Sequence, residues 1–325
     1  MKKIIFFLLI LLIINYSVNS QENKNMDSKE KLLQTVLDNT VDKKKVYGPT
    51  YALKKDSFVW VGKAGNFSEN ELFFIASTTK LFTTSIILKL KSEGKLKLDD
   101  KISNYLDTSI IEGLHIYKGK DNSFELTVKH LLSHTSGLPD YFEDKGDNNV
   151  SLKNELTEGK DRAWTFEQSI NLTKSLKPKF APGTKGKAHY SDANFQLLGK
   201  IIENITGTSF EENCYNLIIK PLYLFNTYLY TDTSDNKPKN IYFKSKELHI
   251  PKAMASFGAD GGIVSTSSDL LVFIEAFFTG KLFPIEYIED LKIWNNIFFP
   301  MRSGIGIHLF KLPWFFDPTG AIPGY

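Results

Sequence analysis

Apolar and polar positions follow different rhythms along the chain. Between Lys29 and Val41 the apolar residues Leu32, Leu33, Val36 and Leu37 recur at helical spacing. Residues 50–53 and 58–63 are short strand-like runs joined by Lys54-Lys55-Asp56, the pattern of a hairpin. From Thr79 a strongly apolar helix (Leu81, Phe82, Ile86, Ile87, Leu90) is predicted to run to Gly94. Residues 95–250 are mixed helix and loop, with helical pieces at 128–133, 165–175 and 194–203. At Gly258 the pattern changes to "GADGGIVSTSSDL". A helix over 269–278 follows, and then a strand-like "GIGIHLF" at 304–310. Strands, a helical middle and a return to strands predict an α/β (α+β) fold, an antiparallel sheet flanked by helices with a helical insertion. The α/β part is expected at about 45–90 and 255–325, and the helical part at about 91–254.

The N-terminus departs from this globular pattern. Lys2 and Lys3 precede an unbroken apolar stretch from Ile4 to Ile14, and Val18-Asn19-Ser20 offers small residues before Gln21. Residues 1–20 are therefore expected to be a signal peptide, which sends the protein to the periplasm or outside the cell. If uncleaved, residues 4–14 tether it to a membrane. Residues 21–44 are expected to form a polar linker and the first helix, and 45–325 the main folded domain.

Composition narrows the function. Lys and Arg total 40 against 37 Asp and Glu, a net charge of +3, and only Arg162 and Arg302 are arginines. The lysines are scattered among Asn, Asp and Glu, as on a solvated surface, which argues against a nucleic-acid partner. The single cysteine, Cys214, excludes an internal disulfide and is expected in the core.

The candidate chemistry starts at "FFIASTTKLF", residues 73–82, where Ser-x-x-Lys interrupts two apolar segments. Residues three apart share a helix face, so Lys80 can reach Ser77. At a helix N-terminus the dipole and apolar surroundings disfavour an ammonium, and a neutral lysine can activate the serine. Ser-x-x-Lys also occurs at Ser28, Ser92 and Ser234. Only the Ser77 copy is flanked by apolar residues on both sides and opens a strong helix. A second element, "HYSDANFQLLGKIIE" at 189–203, places Tyr190 before another amphipathic helix. A lysine ammonium nearby would stabilise its phenolate and let it shuttle protons. The bland alternative is a core tyrosine.

The order of the segments carries more than any one of them. Ser-x-x-Lys is followed by "HLLSHTSGLPDYF" (130–142), "FAPGTKGKAHYSDANFQLLGKIIE" (180–203) and "FGADGGIVSTSSDLLVFI" (257–274). Across roughly 45–325 this resembles the serine β-lactamase and penicillin-binding protein superfamily, on the branch of class C β-lactamases, D-alanyl-D-alanine carboxypeptidases and related esterases. The resemblance implies that Ser77 is acylated, Lys80 activates it, Tyr190 passes a proton to the leaving group, and the Ser77 N–H is an oxyanion donor. It implies no metal or organic cofactor. Two departures stand out. Asp192 occupies a substrate-contacting position where the family has Asn, and a carboxylate there opposes a neutral Lys80. The late Lys/His-Ser/Thr-Gly triad has only Pro318-Thr319-Gly320 as a counterpart, so that triad and the last strands are expected to lie beyond Tyr325, in a C-terminally truncated chain.

Other constellations are weaker. His130 and His134 are four apart but lack a Glu between them and a third ligand, so capping of the "HTSGL" turn is expected rather than a metal. The paired acids Asp99-Asp100 and Glu211-Glu212 do not show facing carboxylates, and "GADGG" lacks dinucleotide-site spacing. The expected function is an exported serine hydrolase acting through an acyl-enzyme on a D-amino-acid peptide, cell-wall fragment, ester or β-lactam. The alternatives are an inactive protein of the same fold that binds cell-wall peptide, and a structural surface protein.

Overall fold

Leu33 and Leu37, on one face of the helix at 28–38, pack with Trp60, Leu53 and Phe58 of an antiparallel hairpin, Thr50–Lys55 with Phe58–Lys63. Gln34 adds a hydrogen bond to the Lys63 carbonyl (2.8 Å). In this computed structural model residues 28–42, 44–147, 149–311 and the backbone of 322–324 are described. The chain forms two compact units, residues 1–71 and 72–325.

The second unit is built on two buried helices, Thr79–Ser92 and Asp192–Thr206. In the first, 11 of 14 residues are buried, so its polar positions need partners as much as its apolar ones. Leu81, Phe82, Ile86 and Ile87 enter the main core, where Phe82 stacks on Phe273 with centroids 3.7 Å apart. Thr79, Thr83 and Thr84 instead tie the helix to later segments. Thr79 Oγ1 accepts from the Ile263 N–H (3.1 Å), and Thr83 Oγ1 donates to the Ala259 carbonyl (2.7 Å). Thr84 Oγ1 donates to the Gly306 carbonyl (3.3 Å). Cys214 is buried in the same core, and burial raises its thiol pKa.

The sheets are antiparallel and short. Phe73–Phe74 pairs with Ile263–Ser265, which pairs with Tyr228–Leu229. Asn295–Phe298, Met301–Ser303, His308–Phe310 and Ile322–Gly324 form a four-stranded sheet in chain order. The strand expected over 304–310 begins only at His308. Gly304 donates to the Ile307 carbonyl, and Gly306 sits at φ 69° with room for a Cβ only 2.3 Å from Thr84. That close approach turns the chain instead of extending it. The helical middle also contains a hairpin, Ile241–Phe243 with Lys246–Leu248. Residues 1–27, with the expected signal segment, and Pro318-Thr319-Gly320 lie outside the described residues.

Candidate active site

Ser77 stands in the one-turn helix Ala76–Thr78 that leads into Thr79–Ser92. Ala76, just before it, is held at φ 46°, a conformation that L side chains rarely take. Ser77 is half-buried and Lys80 is completely buried. Lys80 Nζ donates to Ser77 Oγ at 3.1 Å and to the Asp260 carbonyl at 2.5 Å, and it lies 2.7 Å from Asp192 Oδ1. Two hydrogen bonds and one ion pair thus surround the ammonium. The carboxylate expected near Lys80 is in place, and the Asp260 carbonyl joins it. The strand-side turn and the second helix supply oxygens.

Tyr190 reaches the same serine, with its hydroxyl 2.5 Å from Ser77 Oγ. Burial, and then the charge of Asp192, push its pKa well above the ordinary value. Burial first, and the Asp192 charge second, thus favour the neutral phenol over the phenolate considered from the sequence.

Two loops fold onto each other to hold Tyr190. His134 Nδ1 accepts from the Ser191 N–H (3.1 Å) and faces Asn194 Nδ2 (3.1 Å). Both groups are donors, so Nδ1 is unprotonated and the imidazole is neutral. Burial, and then His308, hold its pKa well below the usual value. Its ring stacks on Tyr190 with centroids 4.7 Å apart and planes 19° apart. Ser191 Oγ donates to the Pro139 carbonyl (2.8 Å), and Ser136 Oγ donates to Asn194 Oδ1 (2.7 Å). The segments "HTSGLPD" and "HYSDAN", 55 positions apart in sequence, become one scaffold. His130 and His134 are engaged separately within the protein. His130 closes a capping box with Thr127, and no metal-binding cluster occurs among the described residues.

Three carboxyls surround the one lysine. Asp140 Oδ1 accepts from the Phe142 N–H (2.9 Å) and, at 3.4 Å, from the Asp192 N–H. Asp260 Oδ2 accepts from the Tyr141 hydroxyl (2.7 Å) and Gln196 Nε2 (3.1 Å). Burial, and then the Asp192 charge, raise the pKa of both Asp140 and Asp260 well above the carboxylate range. Both shifts favour the protonated carboxyl over a further anion beside the Lys80–Asp192 ion pair. His308 completes the group, with its ring centroid 5.8 Å from that of Tyr190. Its pKa is pushed down to about 3 by burial and then by the charge of Lys80.

Ser77, Lys80, Tyr190 and Asp192 thus come together as expected from the sequence. Asp140, Asp260 and His308 were missed as site residues. The first two stand inside quoted segments but read there as turn residues. His308 stands in a strand pattern that carries no chemical signal.

A family profile described as Beta-lactamase matches residues 33–321. The chain belongs to the beta-lactamase family. Within reach of it is the structure of a D-stereospecific amidohydrolase from Streptomyces, 26% identical, which covers 91% of this chain and 86% of that one at a TM-score of 0.74. A Bacillus subtilis (strain 168) relative named "Putative penicillin-binding protein PbpX" is 26% identical over 259 residues. An Escherichia coli (strain K12) relative named "Putative D-alanyl-D-alanine carboxypeptidase" is 26% identical over 273. They match 78% and 76% of this chain, which spans only 57% and 59% of their lengths. The α/β architecture expected from the strand and helix order is the fold of this family.

Proposed function

We propose that the protein is a serine hydrolase that opens an amide or ester carbonyl through an acyl-enzyme on Ser77. The observation that carries this is the double contact of Ser77 Oγ, with Tyr190 at 2.5 Å and Lys80 at 3.1 Å. Asp192, at 2.7 Å from Nζ, first takes a proton from the Lys80 ammonium, so the carboxylate that opposes a neutral lysine at rest leaves a free amine as substrate binds. Ser77 Oγ then attacks the carbonyl carbon while the Lys80 amine takes its proton. The oxyanion meets the Ser77 N–H, which lies in a first helical turn without an intrahelical acceptor. Tyr190, a neutral phenol at rest, gives its proton to the leaving group and recovers one from Lys80. Water then cleaves the acyl ester and restores Ser77.

The relatives named as an amidohydrolase and a carboxypeptidase support D-amino-acid amides or peptides as the substrate class. The test is release of D-alanine from D-alanyl-D-alanine peptides and of ammonia from D-amino-acid amides. Turnover by the wild type and none by Ser77→Ala is the expected result. Substrate binding without turnover would show a binding protein instead. Export, supported by Lys2, Lys3 and the apolar run after them, predicts a secreted chain that begins at Gln21 on N-terminal sequencing.

A further inference from the structure

We propose that the cleft beside Ser77 is a receptor for a large apolar group on the acyl half of the substrate. The proposal rests on the acyl-enzyme reading above and adds to it what the acyl group must be.

Ser77 and Tyr190 open onto a cavity of about 650 Å³, within the size range of small-molecule sites. Its walls are of two kinds. Asp140, Glu143, Asp144 and His189 supply polar lining. The carboxylates of Glu143 and Asp144 are already engaged within the protein. Glu143 pairs with Lys153 (2.6 Å), and Asp144 pairs with both Lys179 and His189 (3.0 Å each). Asp192 is committed to Lys80. Lys153, Thr157, Tyr242 and Asp260 add polar groups, and six of the apolar side chains come from three separate segments. Phe243 and Leu248 stand on the 241–248 hairpin, Met254 and Phe257 on the helix Pro251–Phe257, and Phe298 and Met301 at the ends of two paired strands.

At the rim, Phe243 and Phe298 are 38% and 60% exposed. Apolar surface in this position gains from being covered, whereas the paired charges gain little from a new partner. The occupant is therefore an apolar group joined to the carbonyl at Ser77. The acyl half is the half that remains on Ser77 through both chemical steps, so its burial counts in each. An alkyl chain of several carbons or an aromatic side chain meets this requirement, and an acetyl group does not.

The experiment measures kcat/KM for p-nitrophenyl acetate, butyrate, hexanoate and octanoate below their micellar concentrations. Each rate is corrected with Ser77→Ala. Burial of one methylene is worth about a fourfold gain, so partial burial predicts a rise of roughly tenfold or more from acetate to octanoate. Phe243→Ser and Phe298→Ser change exposed side chains. Each is expected to lower the octanoate-to-acetate ratio by about threefold. A flat or falling series in an enzyme whose turnover depends on Ser77 would overturn the apolar receptor and leave the hydrolase standing. A rising series that neither variant flattens would overturn it too. Absence of any Ser77-dependent turnover would remove the hydrolase reading and this proposal with it.

Discussion

Lys80 sits at zero exposure with two hydrogen-bond acceptors and one ion-pair partner, so its neighbours decide whether a charge can stay there. Removing one partner of a buried pair leaves an uncompensated charge. Lys80→Met would strand Asp192 between Asp140 and Asp260 with no cation, and roughly 3–5 kcal/mol of stability should be lost in urea unfolding. The double variant Lys80→Met with Asp192→Asn should recover most of that loss while remaining inactive. Asp192→Asn alone tests the proton relay. With Asp192 as acceptor, kcat falls by about a hundredfold or more with little change in KM. A rise in kcat would mean that the carboxylate only holds the lysine back. Tyr190→Phe removes the hydroxyl next to Ser77 and keeps the ring on His134. A folded enzyme with kcat lowered by a similar factor is expected.

The site depends on how one helix meets one turn. Gly199, in the helix Asp192–Thr206, faces Ala259, and a Cβ on it would lie 2.5 Å from the Ala259 Cβ. Asp260, whose carbonyl holds Lys80, is the next residue. Gly199→Val should therefore cost about 1–3 kcal/mol by overpacking and lower turnover together with stability. Gly199→Ala should show the same direction at smaller size. Much of this arrangement was legible in the sequence. The run from Leu81 to Leu90 marked its helix, "SDANFQLLGKIIE" marked the second, and Ser-x-x-Lys between apolar flanks marked the candidate nucleophile. Long helices with buried stripes announce themselves by local spacing. The carboxyls around Lys80 did not, because Asp140 and Asp260 are brought in by loops whose polar residues look alike whether buried or exposed. The tyrosine's state was misread for the same reason. It depends first on burial and then on the charges of residues up to 120 positions apart, from Asp140 to Asp260.

Across the whole molecule, the buried titratable groups of the site pull stability in opposite directions with pH. His134 and His308 have lowered pKa values, so they stay neutral when folded and bind protons when unfolded. Their contribution is lost as pH falls below 6.5, the ordinary histidine value. Asp140 and Asp260 have raised pKa values, so their contribution is present at low pH and is lost as pH rises above 3.8 through their folded values. Between those limits the two effects offset each other. His308→Phe removes one acid-labile term, so the stability of the variant relative to wild type should rise by about 1.4 kcal/mol per pH unit below 6.5. Denaturant unfolding at pH 7, 6, 5 and 4 checks this, and a constant gap would contradict it. The central claim remains that Ser77 is the nucleophile, activated by Lys80 and Tyr190. Its most direct test is peptide mapping by mass spectrometry after reaction with a fluorophosphonate. The account predicts a single adduct on the peptide that carries Ser77, absent in Ser77→Ala and formed much more slowly in Tyr190→Phe. No adduct on the folded wild type, or an adduct on a different serine, would contradict it.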